Sequence, residues 1–348
     1  MSLFAELGMR YPIIQAPMAG VQNTELAMAV TGAGALGSLP AAMLSTAELR
    51  KALEQLAASG PGSFNINFFC HRQSEPDPAE EQRWREALAP YYAEFGVDAR
   101  AETTAPGRAP FNAEHAAMLG EFRPAVVSFH FGLPAPELLA RVKATGASVF
   151  ASATTVAEAH WLARHGADAI IAQGLEAGGH RGHFLNQDLS LQQGTFTLLP
   201  QIVAAVDLPI IAAGGIVDGK GIKAALALGA SAVQMGTAFL CCHEATTSPL
   251  HRAALLGAHG RHTALTNLFS GRPARGIVNR LMRELGPLSA LPPDFPHASG
   301  ALAPLRAAAE KVGDSGFSPL WAGQNVSGCR SQGAAELIAA WVAEADLA

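Results

Sequence analysis

The residues best suited to chemistry lie in one run, Gln173-Gly174-Leu175-Glu176-Ala177-Gly178-Gly179-His180-Arg181-Gly182-His183. Glycines let backbone approach a ligand without a Cβ in the way. Ionisable groups on a loop just past a strand are typical of a site on an α/β scaffold. His180 is placed to donate a hydrogen bond or positive charge to an anion, or to act as a base toward a neutral substrate. The plain alternative is a glycine-rich surface turn in which His180 only orders its own loop. Arg181, beside a glycine turn, reads as a residue pointing to solvent. His183 lies three residues from His180, which raises a metal site, but no third or fourth ligand stands at suitable spacing. No metal is expected.

A second signal comes from Ala213-Gly214-Gly215-Ile216 ahead of a helix and from Gln234-Met235-Gly236-Thr237 at the end of an apolar run. Bare backbone N–H groups and a helix N-terminus together make a phosphate site. Tight turns between strand and helix are the competing explanation. Gly32-Ala33-Gly34-Ala35-Leu36-Gly37 matches G-x-G-x-x-G, but its helix comes first and its strand second. That order is the reverse of a dinucleotide fingerprint and predicts a tight helix-to-strand turn.

These residues must be carried by regular elements. Short apolar runs predict strands over 12–18, 35–39, 64–69, 125–131, 148–153, 169–173, 209–215 and 232–237. Helical spacing predicts helices over 24–30, 46–58 (capped by Ser45 or Thr46), 136–144, 155–165, 198–206 and 219–228. The stretch 71–124 breaks the rhythm and reads as an insertion with helices over 78–95 and 112–119. Eight strands alternating with helices predict a closed parallel (β/α)₈ TIM barrel with a smaller second domain. The expected division is a barrel of 1–70 and 125–258, a second domain of 71–124 and 259–332 over its mouth, and a C-terminal helix in 333–348. The site of such a barrel lies at the C-terminal ends of its strands. Met18, Asn67, His130, Gln173, Gly215 and Thr237 all fall there. His130 either lines the site or packs at its strand end.

Composition narrows the functional classes. The 348 residues are 49% hydrophobic and 15% charged, enough for a large buried core. A net charge of −5 without a long basic run argues against nucleic acid. No apolar run is long enough for a membrane span, and Met1-Ser2-Leu3-Phe4-Ala5-Glu6 lacks a signal-peptide pattern. Cys70, Cys241, Cys242 and Cys329 include no CxxC pair, which fits a reduced cytoplasmic protein.

Several motifs together carry a family resemblance. They are Gln15-Ala16-Pro17-Met18, Asn67-Phe68-Phe69, Ser128-Phe129-His130-Phe131-Gly132, the 173–182 run, Ala212-Ala213-Gly214-Gly215 and Gln234-Met235-Gly236-Thr237. With them the chain resembles the bacterial class I nitronate monooxygenases, formerly called 2-nitropropane dioxygenases. The resemblance spans about 10–245 and continues loosely through 317–324. The glycine-histidine run and the two glycine corners are shared by related FMN enzymes. The pairing of Asn67-Phe68-Phe69 with Ser128-Phe129-His130-Phe131-Gly132 is more specific to class I.

The resemblance implies FMN, with its phosphate at Gly215 and at Gln234, Met235, Gly236 and Thr237. It implies Asn67, Gln173 and Gly178 around the flavin, Met18 under or beside the ring, and His180 as the catalytic histidine. It implies oxidation of an alkyl nitronate by O₂ to a carbonyl compound and nitrite, in a cytoplasmic monomer or homodimer. The family places tyrosines and a lysine near substrate in the C-terminal region; here Phe295 and Ser299 occupy that region, and the nearest lysine is Lys311. An FMN-dependent NAD(P)H reductase on the same barrel, acting on enoyl-acyl-carrier protein or on quinone, stays open. So does a catalytically silent barrel that binds a phosphate-bearing ligand.

Overall fold

The computed structural model describes residues 3–60, 62–98 and 108–347. Residues 99–107, inside the expected insertion, lie outside the described residues, as do the terminal residues 1, 2 and 348. Strands are numbered in chain order: β1 (Ile13–Gln15), β2 (Gly37–Pro40), β3 (Phe64–Phe69), β4 (Val126–His130), β5 (Ser148–Ala153), β6 (Ala169–Gln173), β7 (Gly179–His180), β8 (Ile210–Ala213), β9 (Ala232–Met235), β10 (Thr263–Thr266) and β11 (Ala274–Ile277).

Eight of these form one parallel sheet in the order β1-β9-β8-β6-β5-β4-β3-β2. A parallel bridge between Ile14 and Leu36 brings its two edges together, with Leu36 N–H donating to Ile13 O and Gln15 N–H to Leu36 O, both at 2.9 Å. This is the expected TIM barrel. Both faces of each strand are covered, which is why the runs are continuously apolar rather than alternating. Ile14, Leu36, Val126, Phe150, Ala169, Ile171, Ile211 and Ala232 pack inside it, and Phe4 and Leu7 join them from the N-terminal segment.

Strands β3, β5 and β6 match their apolar runs, β2 is shifted to Gly37–Pro40, and β1, β4, β8 and β9 are shorter than theirs. Strand β8 stops at Ala213 because Gly214 and Gly215 take φ of 123° and 74°, a conformation that leaves the sheet and favours glycine. The 32–37 motif is a helix-to-strand turn: the helix Thr24–Gly32 ends there and β2 begins at Gly37. Ser45 and Glu48 form a capping box on the helix Thr46–Ala58. The helix near 198–206 starts earlier, at Thr195, and runs to Ala205 with Pro200 inside it.

The segment 71–124 divides between two cores. Its helix Pro78–Phe95 starts at an Asp77 cap with Pro in the first turn and stops at a left-handed Gly96. That helix packs on Ala298–Lys311, in a cluster with Trp84, Leu88, Tyr92, Leu281, Leu302 and Phe317. Trp84 Nε1 donates to Ala298 O at 3.0 Å, and Tyr92 OH to Ala301 O at 2.7 Å. The helix Ala113–Phe122 instead joins the barrel. Its Ala116, Met118 and Leu119 pack with Leu49, Ile66, Phe68 and Phe129, between Thr46–Ala58 and Pro136–Ala144. The C-terminal helix Ala334–Glu344 fits between Gly219–Ala227 and Thr24–Gly32 and takes the last place in the outer ring. None of the described helices is long and apolar enough to cross a membrane.

Candidate functional site

The glycine-histidine run is not a free loop. Gly179 and His180 form β7, the edge of an antiparallel sheet β10-β11-β7, with His180 opposite Ala274 and Gly179 opposite Arg275. The C-terminal region therefore holds the loop from one side. The barrel holds it from the other: the His180 carbonyl accepts from Gln173 Nε2 at 3.0 Å and from His130 Nε2 at 3.1 Å, while Gln173 Oε1 accepts Gly182 N–H at 2.8 Å. Ser152 Oγ lies 3.0 Å from His130 Nδ1. With Nε2 donating to a carbonyl, that serine must donate to Nδ1. Burial pushes the pKa of His130 down to about 3, so the ring is neutral.

Arg181 reverses the expectation of a solvated side chain. It is fully buried. Its Nε donates to Gln192 Oε1 at 2.6 Å, and its two terminal nitrogens to Gly174 O at 2.8 Å and Gln173 O at 2.9 Å. A buried guanidinium needs several acceptors, and the bend of the loop supplies two. His183 is also buried away from the mouth, with Nε2 2.9 Å from Gln187 Oε1 and Nδ1 3.2 Å from Gln192 Nε2. The buried carboxylate of Glu158 accepts the N–H of Phe184 at 2.6 Å and Thr154 Oγ1 at 2.8 Å, which fixes the far end of the run.

These anchors leave His180 beside a cavity of about 200 Å³ at the C-terminal ends of the strands. That volume is more than ten times what one ordered water needs, roughly 10–15 Å³, so the site has room for a ligand. Met18, Asn67, Gln173, Gly178, Gly215, Gln234, Gly236 and Thr237 all line it with His180. Met235 does not; its side chain is buried in the barrel core, and its carbonyl accepts Ala16 N–H at 2.8 Å. The strand alternation that points Gln234 toward the cavity turns its neighbour outward.

Each lining residue is fixed by its element. Met18 N–H donates to Gln22 Oε1 at 2.7 Å, and Gln22 Nε2 to Ser38 O at 2.6 Å, which sets the loop after β1. Asn67 Nδ2 donates to Ser128 Oγ at 2.9 Å. A Cβ on Gly178 would sit 2.5 Å from the backbone nitrogen of Gly323, so that position needs glycine for close approach to the 321–325 segment. Thr237 Oγ1 accepts Gly323 N–H at 2.9 Å. Gln234 Oε1 is buried with no partner among the described residues.

The glycine corner differs in one respect from expectation. The N-terminal amides of the helix Gly219–Ala227 do not wait for an anion: Glu344 takes Gly219 N–H and Asp218 takes Gly221 N–H, both at 2.8 Å. Any phosphate there would rely on the loops at 214–215 and 236–237, without that helix end.

The walls around His180 are aromatic. Its ring centroid lies 5.4 Å from Phe295, 5.6 Å from Trp321, 6.0 Å from Phe69 and 6.1 Å from Phe131. Phe131 holds a φ of 70°, rare for a bulky residue and of the kind that gathers at functional sites. Burial, reinforced by Arg108 and other nearby groups, drives the pKa of His180 well below the ordinary value. The ring is neutral in the folded protein.

The nitronate monooxygenase family model matches residues 2–344. A nitronate monooxygenase of Paraburkholderia phytofirmans is 45% identical, with 97% of this chain and 93% of that protein covered. One from Pseudomonas aeruginosa is 42% identical with 97% of each covered. The crystal structure of a nitroalkane oxidase from Streptomyces ansochromogenes superposes with a TM-score of 0.90 at 38% identity, over 99% of this chain and 98% of that one.

The chain belongs to the nitronate monooxygenase family. It is therefore a flavin-dependent oxidoreductase on a TIM barrel. Several side chains at the site of this family member had no local signal in the sequence. Arg108 reaches the cavity from the segment before Phe111, while Trp321, Gly323 and Asn325 reach it from the C-terminal region. Ser270 sits 2.9 Å from His180 Nε2. Ser270 meets His180, Gly323 meets Thr237 and Asn325 meets Gly215 across more than 80 residues each, beyond the reach of any periodicity. The loose similarity over 317–324 was the one hint at the Trp321 wall.

Proposed function

We propose that this chain oxidises alkyl nitronates with O₂ to a carbonyl compound and nitrite, using noncovalently bound FMN. The observation that carries this reading is the placement of a neutral, aromatic-walled His180 on the same cavity as the two glycine corners after β8 and β9. The residues present fit a flavin mononucleotide. Gly215, Gly236 and Thr237 offer a corner for one phosphate, and Gln234 Oε1 is a buried acceptor with no donor among the described residues. Asn67, Gln173, Gly178 and Met18 line the remaining wall. The 32–37 turn is no dinucleotide site, which favours FMN over FAD. FMN, when bound, supplies the electron-transfer chemistry between nitronate and oxygen.

The protein's own part is to bind, orient and exclude water. His180 presents a ring nitrogen to a substrate anion whose charge lies on two oxygens. Phe69, Phe295 and Trp321 enclose the apolar remainder. In this reading the barrel carries the cofactor, and a second domain of 71–124 and 259–332 covers its mouth, apart from the helix Ala113–Phe122, which packs with the barrel. The enzyme works in the cytoplasm as a monomer or homodimer, with no nucleic acid or membrane partner.

The test is product formation under air. Purified flavoprotein supplied with an alkyl nitronate should release nitrite and the matching ketone or aldehyde in equal amounts. Absence of nitrite, together with NADH or NADPH oxidation dependent on an enoyl thioester or quinone, would assign the site to a reductase.

A further inference from the structure

We propose that Arg108 is the anion receptor of this site and decides its preference for anionic substrates. The inference rests on the nitronate reading and deepens it.

The charge inventory of the cavity is lopsided. Among the described lining residues there is no aspartate or glutamate, and Arg108 is the one permanently charged side chain. The histidines on the wall, His130, His180 and His251, are all held neutral by burial. No ion pair to Arg108 exists among the described residues. Its guanidinium lies 5.7 Å over the ring of Phe295, which in turn lies 5.4 Å from His180. The aromatic face steadies the cation but does not neutralise it.

A guanidinium with no ion pair among the described residues, facing a largely apolar cavity, is costly unless a ligand brings the opposite charge. Arg272, the other nearby cation, is not among the residues that line the cavity, although its Nε has no partner among the described residues. It stacks 4.0 Å over Phe131 and donates to the His183 carbonyl. Among the described residues, Arg108 alone brings a permanent charge to the cavity wall. Its planar fork matches a pair of oxygens on one centre, the geometry shared by nitronate, nitrite and carboxylate. Arg108 is also close enough to His180 to help depress its pKa. The cation therefore sits over the Phe295 ring that His180 also faces, within reach of an anion bound beside the histidine. Neutral nitroalkanes gain nothing from it.

The experiment compares the parent flavoprotein with Arg108→Met and Arg108→Lys. KM and kcat are measured with an alkyl nitronate, and nitrite binding is measured anaerobically, without turnover, from its perturbation of the flavin spectrum. Loss of a charge-assisted fork should raise KM and the nitrite dissociation constant together, on the order of 10- to 100-fold in Arg108→Met. Flavin content and kcat should change little, and Arg108→Lys should recover part of the loss. Unchanged KM and unchanged nitrite affinity in Arg108→Met would overturn the proposal while leaving the nitronate reading intact. So would loss of flavin in both variants with normal nitrite affinity in the molecules that remain loaded, because Arg108 would then serve the cofactor. Weakened nitrite binding in an enzyme that never oxidises nitronate would keep Arg108 as an anion receptor and remove the nitronate reading instead.

Discussion

His180 and Ser270 meet at 2.9 Å between Nε2 and Oγ. The serine hydroxyl has one proton and a second acceptor in reach, the Arg272 carbonyl at 3.3 Å. If Ser270 donates to that carbonyl, His180 must keep its proton on Nε2 and offers a lone pair at Nδ1. If Ser270 turns to donate to His180, the proton sits on Nδ1. Nδ1 has no partner among the described residues, and the ring is neutral, so one hydroxyl rotation selects between donor and base. An anionic nitronate calls for the donor form, a neutral nitroalkane for the base.

Removing a donor aimed at developing charge typically costs on the order of 10²–10³ in rate. His180→Asn should therefore keep flavin and fold but lose turnover by about that factor. Ser270→Ala, which frees the ring without removing it, should lose roughly 3- to 10-fold, a fraction of the His180 effect. His183→Asn should leave the rate per bound flavin nearly unchanged, because His183 faces Gln187 and Gln192. Nitrite release normalised to flavin measures all three. A dead His183→Asn beside an active His180→Asn would reassign the loop.

Arg181 makes a stability prediction. Arg181→Met strands the Gln173 carbonyl and Gln192 Oε1 in a buried place and leaves the Gly174 carbonyl with the Ala177 N–H at 3.1 Å. Each unsatisfied group costs roughly 1–3 kcal/mol, so a loss of about 3 kcal/mol is expected in urea or thermal unfolding. Flavin affinity should fall as well, since Gln173 lines the cavity. A variant as stable as the parent would mean that the loop has another anchor.

Gln234 separates apo from holo protein. Its Oε1 is buried with no partner among the described residues, so Gln234→Leu should leave the apoprotein equally or more stable. If FMN supplies the missing donor, the same change should weaken FMN binding by about 10-fold. Apo unfolding curves and FMN titration read the two effects. Weaker apoprotein with unchanged FMN affinity would place Gln234 outside the cofactor site. Denatured holoprotein should release FMN, not FAD, by mass.

Acid should destabilise the fold early. Burial lowers His71, His183 and His251 to about 4 and His130 to about 3, from an ordinary value near 6.5. Below 6.5 the unfolded chain binds protons that the folded chain refuses. The stability these rings contribute is complete above about 6.5 and is lost as pH falls toward 4. Thermal unfolding should drop steadily between pH 7 and 5, and His183→Asn should flatten that slope. A Tm independent of pH over this range would contradict the neutral, buried rings.

The barrel was legible because its strands are buried on both faces and interrupted by glycine and proline at regular intervals. The helix Pro78–Phe95 was legible to the residue, since Asp77-Pro78 starts it and Gly96 stops it. The β7–β11 pairing was not, because a two-residue strand of Gly179 and His180 has no period to read. Arg181 was misread for a related reason. Its side-chain type says charged, and only the folded loop shows that two bent-back carbonyls and Gln192 satisfy it inside. Met235 illustrates the limit of motif transfer: the run Gln234–Thr237 sits at the site, yet strand alternation buries one of its members. Arg108 and Trp321 reach the site only through long-range folding.

The central claim is tested most directly by an anaerobic titration of the purified flavoprotein with an alkyl nitronate, followed by admission of air. The account predicts a change in the flavin absorption spectrum on adding nitronate, with reoxidation and nitrite release once oxygen enters. NADH and NADPH should leave the spectrum unchanged. Bleaching by a reduced nicotinamide with no response to nitronate would contradict it.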